Sequence, residues 1–190
     1  ETHPFPDKWY NNDTPVLSWQ KPPGITDFSY VLDDKPFTIP DNIGETKETT
    51  VSFPDANEGL QYFHLKPMKN GIWGGTTHFL IKIDTTPPIE FQPSIEVLTA
   101  AVISHKALIS FFTTDALSGV DHYEVGVIKK SDPVSISPVF LEATSPYQLP
   151  TSVYGDVRVI VRAFDKAGNV RDEMVDVTPP PLVSSGIPDE

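Results

Sequence analysis

The sequence contains no cysteine, which excludes thiol chemistry, cysteine-based metal sites and disulfide bonds. A secreted domain can be held by core burial alone, so the missing cysteines leave the compartment open. The sequence also lacks an apolar stretch near the ~20 residues of a membrane-spanning helix. We therefore predict no membrane insertion by this segment.

Positive charge is scarce as well. Lys and Arg number 14 against 26 Asp and Glu, which gives a formal net charge of −12. This balance argues against nucleic-acid binding through a basic patch, because phosphate groups would be repelled. An acidic surface can attract cations such as calcium, although a merely solvated surface explains the same composition.

Sequence motifs for catalysis are missing too. The chain has no Gly-x-Ser-x-Gly elbow, no phosphate-binding loop, no His-Glu-x-x-His and no Gly-x-Gly-x-x-Gly. Its Ser, His and Asp residues show no spacing that ties them into a triad. We therefore predict that the protein is not an enzyme.

Strand patterns dominate what is present. Short segments rich in β-branched and aromatic residues are bounded by Pro, Gly, Asp or Asn, which favours an all-β sandwich. The 20 prolines argue against long helices. The segments are TPVLSWQ, FSYVLDD, LQYFHLK, THFLIKI, EVLTAAVI, ALISFFTT, HYEVGVI, DVRVIVRAF and EMVDV.

Two of these strands end alike, in HFLIKIDTTPP at Pro88 and in DEMVDVTPPP at Pro181. A glycine-containing hairpin and, earlier, a tyrosine strand around Tyr30 or Tyr123 precede each ending. Proline cannot donate to a sheet and holds its predecessor extended, so each ending predicts a domain terminus and a stiff joint. We predict domains at 1–86 and 87–181, with 182–190 as a linker or tail. The chain begins at Glu1, which suggests a processed product or a fragment.

A family resemblance covers nearly the whole chain. The stretches VLSWQKPPGITDFSYVLDD and GLQYFHLKPMKNGIWG resemble strands of fibronectin type III-like domains. THPFPDKWYNND and WGGTTHFLIKIDTTPP are similar to a tandem module of bacterial surface proteins, which follows a cohesin-type or other head domain and precedes an anchor. DALSGVDHYEV, AFDKAGNV and VTPPP resemble bacterial Ig-like repeats, although the first hairpin lacks the Asp-x-x-Gly-Asn of the second.

This resemblance implies two tandem Ig-like or fibronectin type III-like β-sandwich domains at an extracellular cell surface. The implied function is a non-catalytic spacer, stalk or adhesion segment of a bacterial surface protein, with neighbouring domains as partners. The alternative is a carbohydrate- or protein-binding module of a secreted or surface protein. For that module, Trp9 and Tyr10 near the start and Trp73 at a hairpin tip are the candidate stacking residues. They can equally cover the ends of a sandwich.

Two further sets of residues are candidate metal ligands. If the hairpin is centred near Gly71, then Phe63 faces Phe79 and His64 faces His78 across it. The two imidazoles then lie on the face opposite the apolar one, where they either share a transition metal or form an exposed polar pair. The apolar face comprises Phe63, Leu65, Phe79, Ile81 and Ile83.

Asp84, which precedes the first Thr-Thr-Pro-Pro, is the other candidate ligand. With neighbouring carbonyl groups it would hold calcium at the joint between the domains, and this is the one cofactor hypothesis besides the histidine pair. The simpler interpretation is that Asp84 hydrogen-bonds its own backbone in a turn.

Overall fold

The chain divides into two compact units in a computed structural model that describes residues 1–98, 106–133, 137–150, 152–153 and 155–178. The first unit comprises Glu1–Thr86 and Lys166–Asn169, and the second comprises Pro87–Asp165 and Val170–Glu190. The described residues form strands, turns and loops only, and they include no helix that could span a membrane. The predicted tail at 182–190 lies outside them.

The first unit is built from two sheets. The larger sheet has the order β1-β7-β5-β3, with β6 beside β5, and the smaller pairs β2 with β4. All neighbours are antiparallel except β1 and β7, which run parallel. The strands are β1 (Trp9–Tyr10), β2 (Val16–Ser18), β3 (Ile25–Asp33), β4 (Thr50–Ser52), β5 (Gly59–Lys69), β6 (Ile72–Trp73) and β7 (Thr77–Ile83).

The core of this unit lies between its two sheets. Leu17 of the smaller sheet is buried with Phe63, Ile81 and Ile83 of the larger one. Trp19 packs against them, with its ring centroid 5.7 Å from that of Phe63. Apolar residues at alternate positions of β5 and β7 supply this face, as the period of a strand requires. The predicted apolar face is therefore confirmed.

The hairpin between β5 and β7 has the predicted register over most of its length. Phe63 pairs with Phe79 and His64 with His78. Asn70 and Gly71 have φ values of 52° and 74°, as a tight two-residue turn with both residues left-handed requires. Next to the turn, Met68 pairs with Trp73, one position out of step with the rest. An extra residue is therefore accommodated between β6 and β7.

The second unit also has two antiparallel sheets. Their orders are β11-β10-β13-β14 and β12-β9-β8. The strands are β8 (Ser94–Leu98), β9 (Lys106–Ser110), β10 (Val120–Lys129), β11 (Phe140–Ala143), β12 (Tyr147–Gln148), β13 (Val157–Asp165) and β14 (Val170–Val177).

Strand β13 shows most plainly why this unit folds as a sandwich. Every second residue is buried, including Val157, Val159 and Val161. These side chains meet Ala107 and Ile109 of the other sheet in a single core. Alternate burial along a central strand is what two facing sheets require.

Both units are thus β-sandwiches of the Ig-like class, and the predicted all-β fold class is confirmed. The assignment of 1–86 to the fibronectin type III-like type and of 87–181 to the bacterial Ig-like type stays a prediction. The predicted strand ALISFFTT is too long, because β9 ends at Ser110 and Phe112 is 76% exposed. Part of the predicted strand EVLTAAVI lies outside the described residues.

Candidate functional site

The outer face of the larger sheet in the first unit carries a buried polar layer. Phe63 and Leu65 of β5 face the core, so the alternate residues His64 and Lys66 project to the opposite side. That side of a surface sheet is usually solvated. Here His64, Lys66 and Ser29 of β3 are 0%, 5% and 0% exposed.

Residues 34–46, the covering segment, account for this burial. The Lys66 ammonium group donates to the carbonyl oxygen of Pro40 and to Asn42 Oδ1. His64 Nε2 lies 2.9 Å from the carbonyl oxygen of Lys35, and Thr46 forms a bridge with Phe28 of β3. A buried ammonium group needs such acceptors, because burial without them is costly. The two β5 side chains therefore hold the covering segment in place.

The histidine pair lies at one end of this layer. His64 Nδ1 is 2.6 Å from His78 Nδ1. His64 Nε2 faces the Lys35 carbonyl oxygen and, at 3.2 Å, Asp33 Oδ1. A carbonyl oxygen only accepts hydrogen bonds, so Nε2 must carry a proton. In neutral His64 the lone pair of Nδ1 then points to His78.

Asp33 is itself held by several donors. Partial desolvation opposes ionisation of its carboxyl group, but hydrogen bonds from Thr38 Oγ, the Lys35 backbone N–H and His64 outweigh that effect and lower its pKa. The distance from Thr38 Oγ to Asp33 Oδ2 is 2.6 Å. Asp33 is therefore a carboxylate, fixed beside the protonated nitrogen of His64.

The interpretation of the histidines as an exposed pair is wrong for His64. His78 is exposed, whereas His64 is fully buried. The strand pattern placed both residues correctly on the polar face, but the covering segment has no strand pattern that would show where it packs. Metal binding at these residues stays a prediction.

The aromatic candidates at the start of the chain are half-buried and engaged with their own unit. Trp9 lies below the Lys82 ammonium group, which is 6.0 Å from its ring centroid. The Tyr10 ring lies 4.5 Å from the His3 ring, and its hydroxyl group accepts a hydrogen bond from Phe5 N–H. Trp9 and Tyr10 are also neighbours on β1, where they pair with residues of β7.

Trp73 lies apart from them on β6. It is half-buried, and the Lys66 ammonium group is 5.3 Å from its ring centroid. Trp73 therefore borders the polar layer of the larger sheet. Its role in sugar binding, like that of Trp9 and Tyr10, stays a prediction.

Asp84 follows β7 and is fully buried. Its carboxylate accepts a hydrogen bond of 3.2 Å from Thr86 N–H, which is the turn geometry expected of Asp before a Pro-terminated strand. Its carbonyl oxygen accepts a hydrogen bond of 2.8 Å from the Asn169 side chain. Calcium binding at Asp84 stays a prediction.

Glu58, one of the carboxylates in the first half of the sequence, contacts both threonines of the first Thr-Thr-Pro-Pro. Its carboxylate accepts from the N–H and hydroxyl groups of Thr85 and from the hydroxyl group of Thr86. These hydrogen bonds, led by that from the Thr85 hydroxyl group, lower the pKa of Glu58 against a smaller opposing effect of desolvation. Glu58 precedes Gly59, and Gly59 pairs with Ile83, the last residue of β7. This strand register places the Glu58 side chain at the end of β7.

A carboxylate pair in the second unit was not predicted. One oxygen of Asp115 and one of Asp165 lie within 4.8 Å of each other. Asp115 accepts hydrogen bonds from the N–H groups of Leu117 and Gly119, so it stabilises its own loop. Asp165 lies at the start of the second hairpin, 50 residues after Asp115, and no motif in the sequence links the two.

A small apolar cavity of about 190 Å³ lies beside the core of the first unit. The indole Nε1 of Trp19, one of its lining residues, is buried and has no hydrogen-bond partner among the described residues. Leu17, Phe63, Leu65 and Phe79 also line the cavity.

Comparison with known proteins adds a structural likeness. No protein-family model matches the sequence, and no curated protein matches it. Among solved structures, the fibronectin(III)-like modules of Clostridium thermocellum CbhA are similar, with a TM-score of 0.40 and 14% sequence identity. The match covers 93% of this chain and 90% of that chain.

Proposed function

We propose that this chain is a non-catalytic spacer segment of a bacterial cell-surface protein. In that role it holds a neighbouring domain away from the envelope, in the extracellular space. The mechanism is mechanical: each sandwich is a stable body, and the chain leaves and enters the sandwiches through segments of fixed geometry.

The observation that carries this proposal is the bonding of residues 84–86. The Glu58 carboxylate binds both threonines, and the Asp84 carboxylate binds Thr86 N–H. The chain that leaves β7 is thus fixed to its own sandwich up to Thr86. A loosely tethered domain would have no need of such bonds.

The first residues of the second unit are bonded in the same manner. The N–H group of Ile89 donates to the Thr114 carbonyl oxygen at 3.0 Å, and the Thr113 hydroxyl group donates to the Ile89 carbonyl oxygen. The Pro88 carbonyl oxygen accepts a hydrogen bond of 3.0 Å from Arg171 Nε. Because Pro87 and Pro88 also restrict φ, this stretch has little of the freedom of a Gly-Ser linker.

A display experiment tests the spacer proposal. The chain is placed between a small reporter domain and a cell-wall anchor on a Gram-positive bacterium, and binding of a bulky antibody to the reporter is measured. We expect higher antibody binding than with the reporter fused directly to the anchor, and binding at least equal to that with a Gly-Ser linker of the same residue count. Antibody binding no better than that of the direct fusion would contradict the proposal.

Binding of a glycan or a protein is the competing function. It predicts that the isolated chain binds members of a glycan array or cell-surface extracts, and that Trp9→Ala or Trp73→Ala removes this binding. A reproducible ligand lost with either variant would replace the spacer by a binding module. A chain that spaces the reporter and binds no glycan supports the spacer.

A further inference from the structure

We propose that His64 and His78 chelate a late first-row divalent cation, Zn²⁺ or Cu²⁺, through their Nδ1 atoms on the outer face of the larger sheet. This site does not depend on the spacer function. Imidazole nitrogens suit these two ions, whereas the oxygen-rich sites preferred by calcium are of a different kind.

His64 is already arranged as a metal ligand. Its Nε2–H group is directed at the Lys35 carbonyl oxygen, 2.9 Å away, and at Asp33 Oδ1, 3.2 Å away. Metal-bound histidines nearly always donate their second ring N–H to a carboxylate or a carbonyl group, which fixes the tautomer and makes the ligating nitrogen more basic. Here Nδ1 is left as the ligating atom, and it points to His78.

His78 provides the adjustable half of the site. The two Nδ1 atoms are 2.6 Å apart. With bonds of about 2.0–2.1 Å, two nitrogens on one ion stand roughly 2.9 Å apart in square-planar geometry and roughly 3.3 Å apart in tetrahedral geometry. The pair must therefore open by several tenths of an ångström. Since His78 is exposed and His64 is fully buried, rotation of the His78 side chain supplies this movement.

The same geometry defines what the ion displaces. With Nε2 of His64 protonated, the short contact between the Nδ1 atoms is a hydrogen bond that His78 Nδ1–H donates to His64. When the cation binds, it takes the place of that proton, which passes through water to Nε2 of the same ring, so His78 changes tautomer with no net release of a proton. Two protein ligands leave the remaining positions to water, which predicts a readily exchanged ion.

Zinc titration of the untagged chain is the direct test. Isothermal titration calorimetry with Zn²⁺ alone should show one ion per chain, and the affinity should fall at least tenfold in His78→Ala. His122→Ala is the matched control, because His122 is a partly exposed histidine in the second unit, paired with Asp121, and its loss should leave binding unchanged. In Asp33→Asn we expect unchanged stoichiometry and roughly tenfold weaker binding, as for other residues that support metal-bound histidines.

Spectroscopy separates this site from adventitious binding. On addition of Zn²⁺, nitrogen NMR should show Nδ1 of His64 and His78 as the coordinated atoms, and Cu²⁺ should give an electron paramagnetic resonance signal from two equatorial nitrogens. The proposal is overturned if His78→Ala and the parent chain bind zinc equally, if Nε2 of His78 is the only coordinated nitrogen, or if the parent chain binds neither ion at millimolar concentration.

Discussion

The Glu58 carboxylate binds the chain where it leaves the first sandwich, and the effect of removing this carboxylate on stability should be measurable. We expect Glu58→Ala to lower the free energy of unfolding of the first unit by about 1 kcal/mol, which is less than the ~1.5–3 kcal/mol of hydrogen bonds to charged groups because the side chain is exposed. Chemical denaturation of the parent chain and the variant measures this difference.

The matched control is Asp7→Asn, which neutralises another exposed carboxylate of the first unit and should change stability little. The pKa of Glu58 is lowered by folding, so its contribution is complete above its ordinary pKa of about 4.3 and disappears as pH falls through the folded value. Equal stability of Glu58→Ala and the parent at neutral pH would show that the hydrogen bonds of Glu58 to Thr85 and Thr86 do not stabilise the fold.

We expect the buried His3 to make the stability of the first unit depend on pH near neutrality. Its ring is 1% exposed, and burial lowers its pKa although the hydrogen bond to the Asn12 carbonyl oxygen acts in the opposite direction. A histidine whose pKa is lowered by folding stabilises the fold above its ordinary pKa of about 6.5, and this stability is lost as pH falls.

We therefore expect the parent chain to lose more stability than His3→Gln between about pH 7.5 and about pH 5.5, a window that brackets the ordinary histidine pKa. Glutamine keeps a donor for the Asn12 carbonyl oxygen but does not titrate. Thermal unfolding at both pH values measures the difference. The same loss in both proteins would assign the pH dependence to other groups.

At the scale of elements, the hairpin turn at Asn70 and Gly71 is the clearest case of local sequence dictating structure. Gly71 has a φ of 74°, and a Cβ atom there would meet nothing within 4 Å. Any cost of Gly71→Ala is therefore backbone strain, for which we expect about 1–2 kcal/mol. Thermal or chemical unfolding of the first unit measures it.

Gly75 offers a control in the same hairpin. A Cβ atom there also meets nothing within 4 Å, and its φ lies outside the left-handed region. We expect Gly75→Ala to be neutral or slightly stabilising, because alanine reduces the freedom of the unfolded chain. If both variants were equally destabilised, the left-handed turn would not be the reason.

The long strands were predictable because their residues alternate. Along β13, buried and half-buried residues alternate without exception, so the local pattern agrees with packing between two sheets. The Asn70-Gly71 turn sets the register of β5 with β6, and the extra residue between β6 and β7 then brings His64 opposite His78. These elements needed no information from distant parts of the chain.

The short strands and the covering segment were not predictable in this way. Strands β1, β6 and β12 have two residues each and exist through their partners rather than through a pattern. The covering segment carries few apolar residues that pack, since Phe37 and Ile39 are 80% and 71% exposed. Its position depends on polar contacts to Lys66 and His64, which the sequence alone does not reveal. For the same reason, the sequence alone does not reveal that Asp33 lies beside His64 in the candidate metal site.

At the scale of the whole molecule, the described residues form two separate hydrophobic cores. Ile81 is 1% exposed in the first core and Ile109 is 0% exposed in the second. Replacement of either residue by alanine leaves a cavity, and we expect each change to cost about 2–5 kcal/mol. Calorimetry should show Ile81→Ala lowering the Tm of one transition and Ile109→Ala that of another.

Each variant serves as the control for the other, because the side chain and the substitution are the same. If both substitutions lowered a single shared transition equally, the two units would unfold as one cooperative body. In that case the hydrogen bonds of Glu58 to Thr85 and Thr86 would still form. The boundary after Thr86, however, would not separate two units that unfold independently.

The hydrogen bonds of Glu58 to Thr85 and Thr86, called the Glu58 cap here, have a consequence for how such proteins diversify. Donor and acceptor groups of the cap, from Glu58 to Thr86, all belong to the first sandwich. A gene segment that encodes residues 1–86 therefore carries every group of these hydrogen bonds, whatever sequence is joined after it. Recombination at the Thr-Thr-Pro-Pro would keep these hydrogen bonds but remove the one from the Asn169 side chain to the Asp84 carbonyl oxygen, so a new downstream partner must replace that contact or do without it.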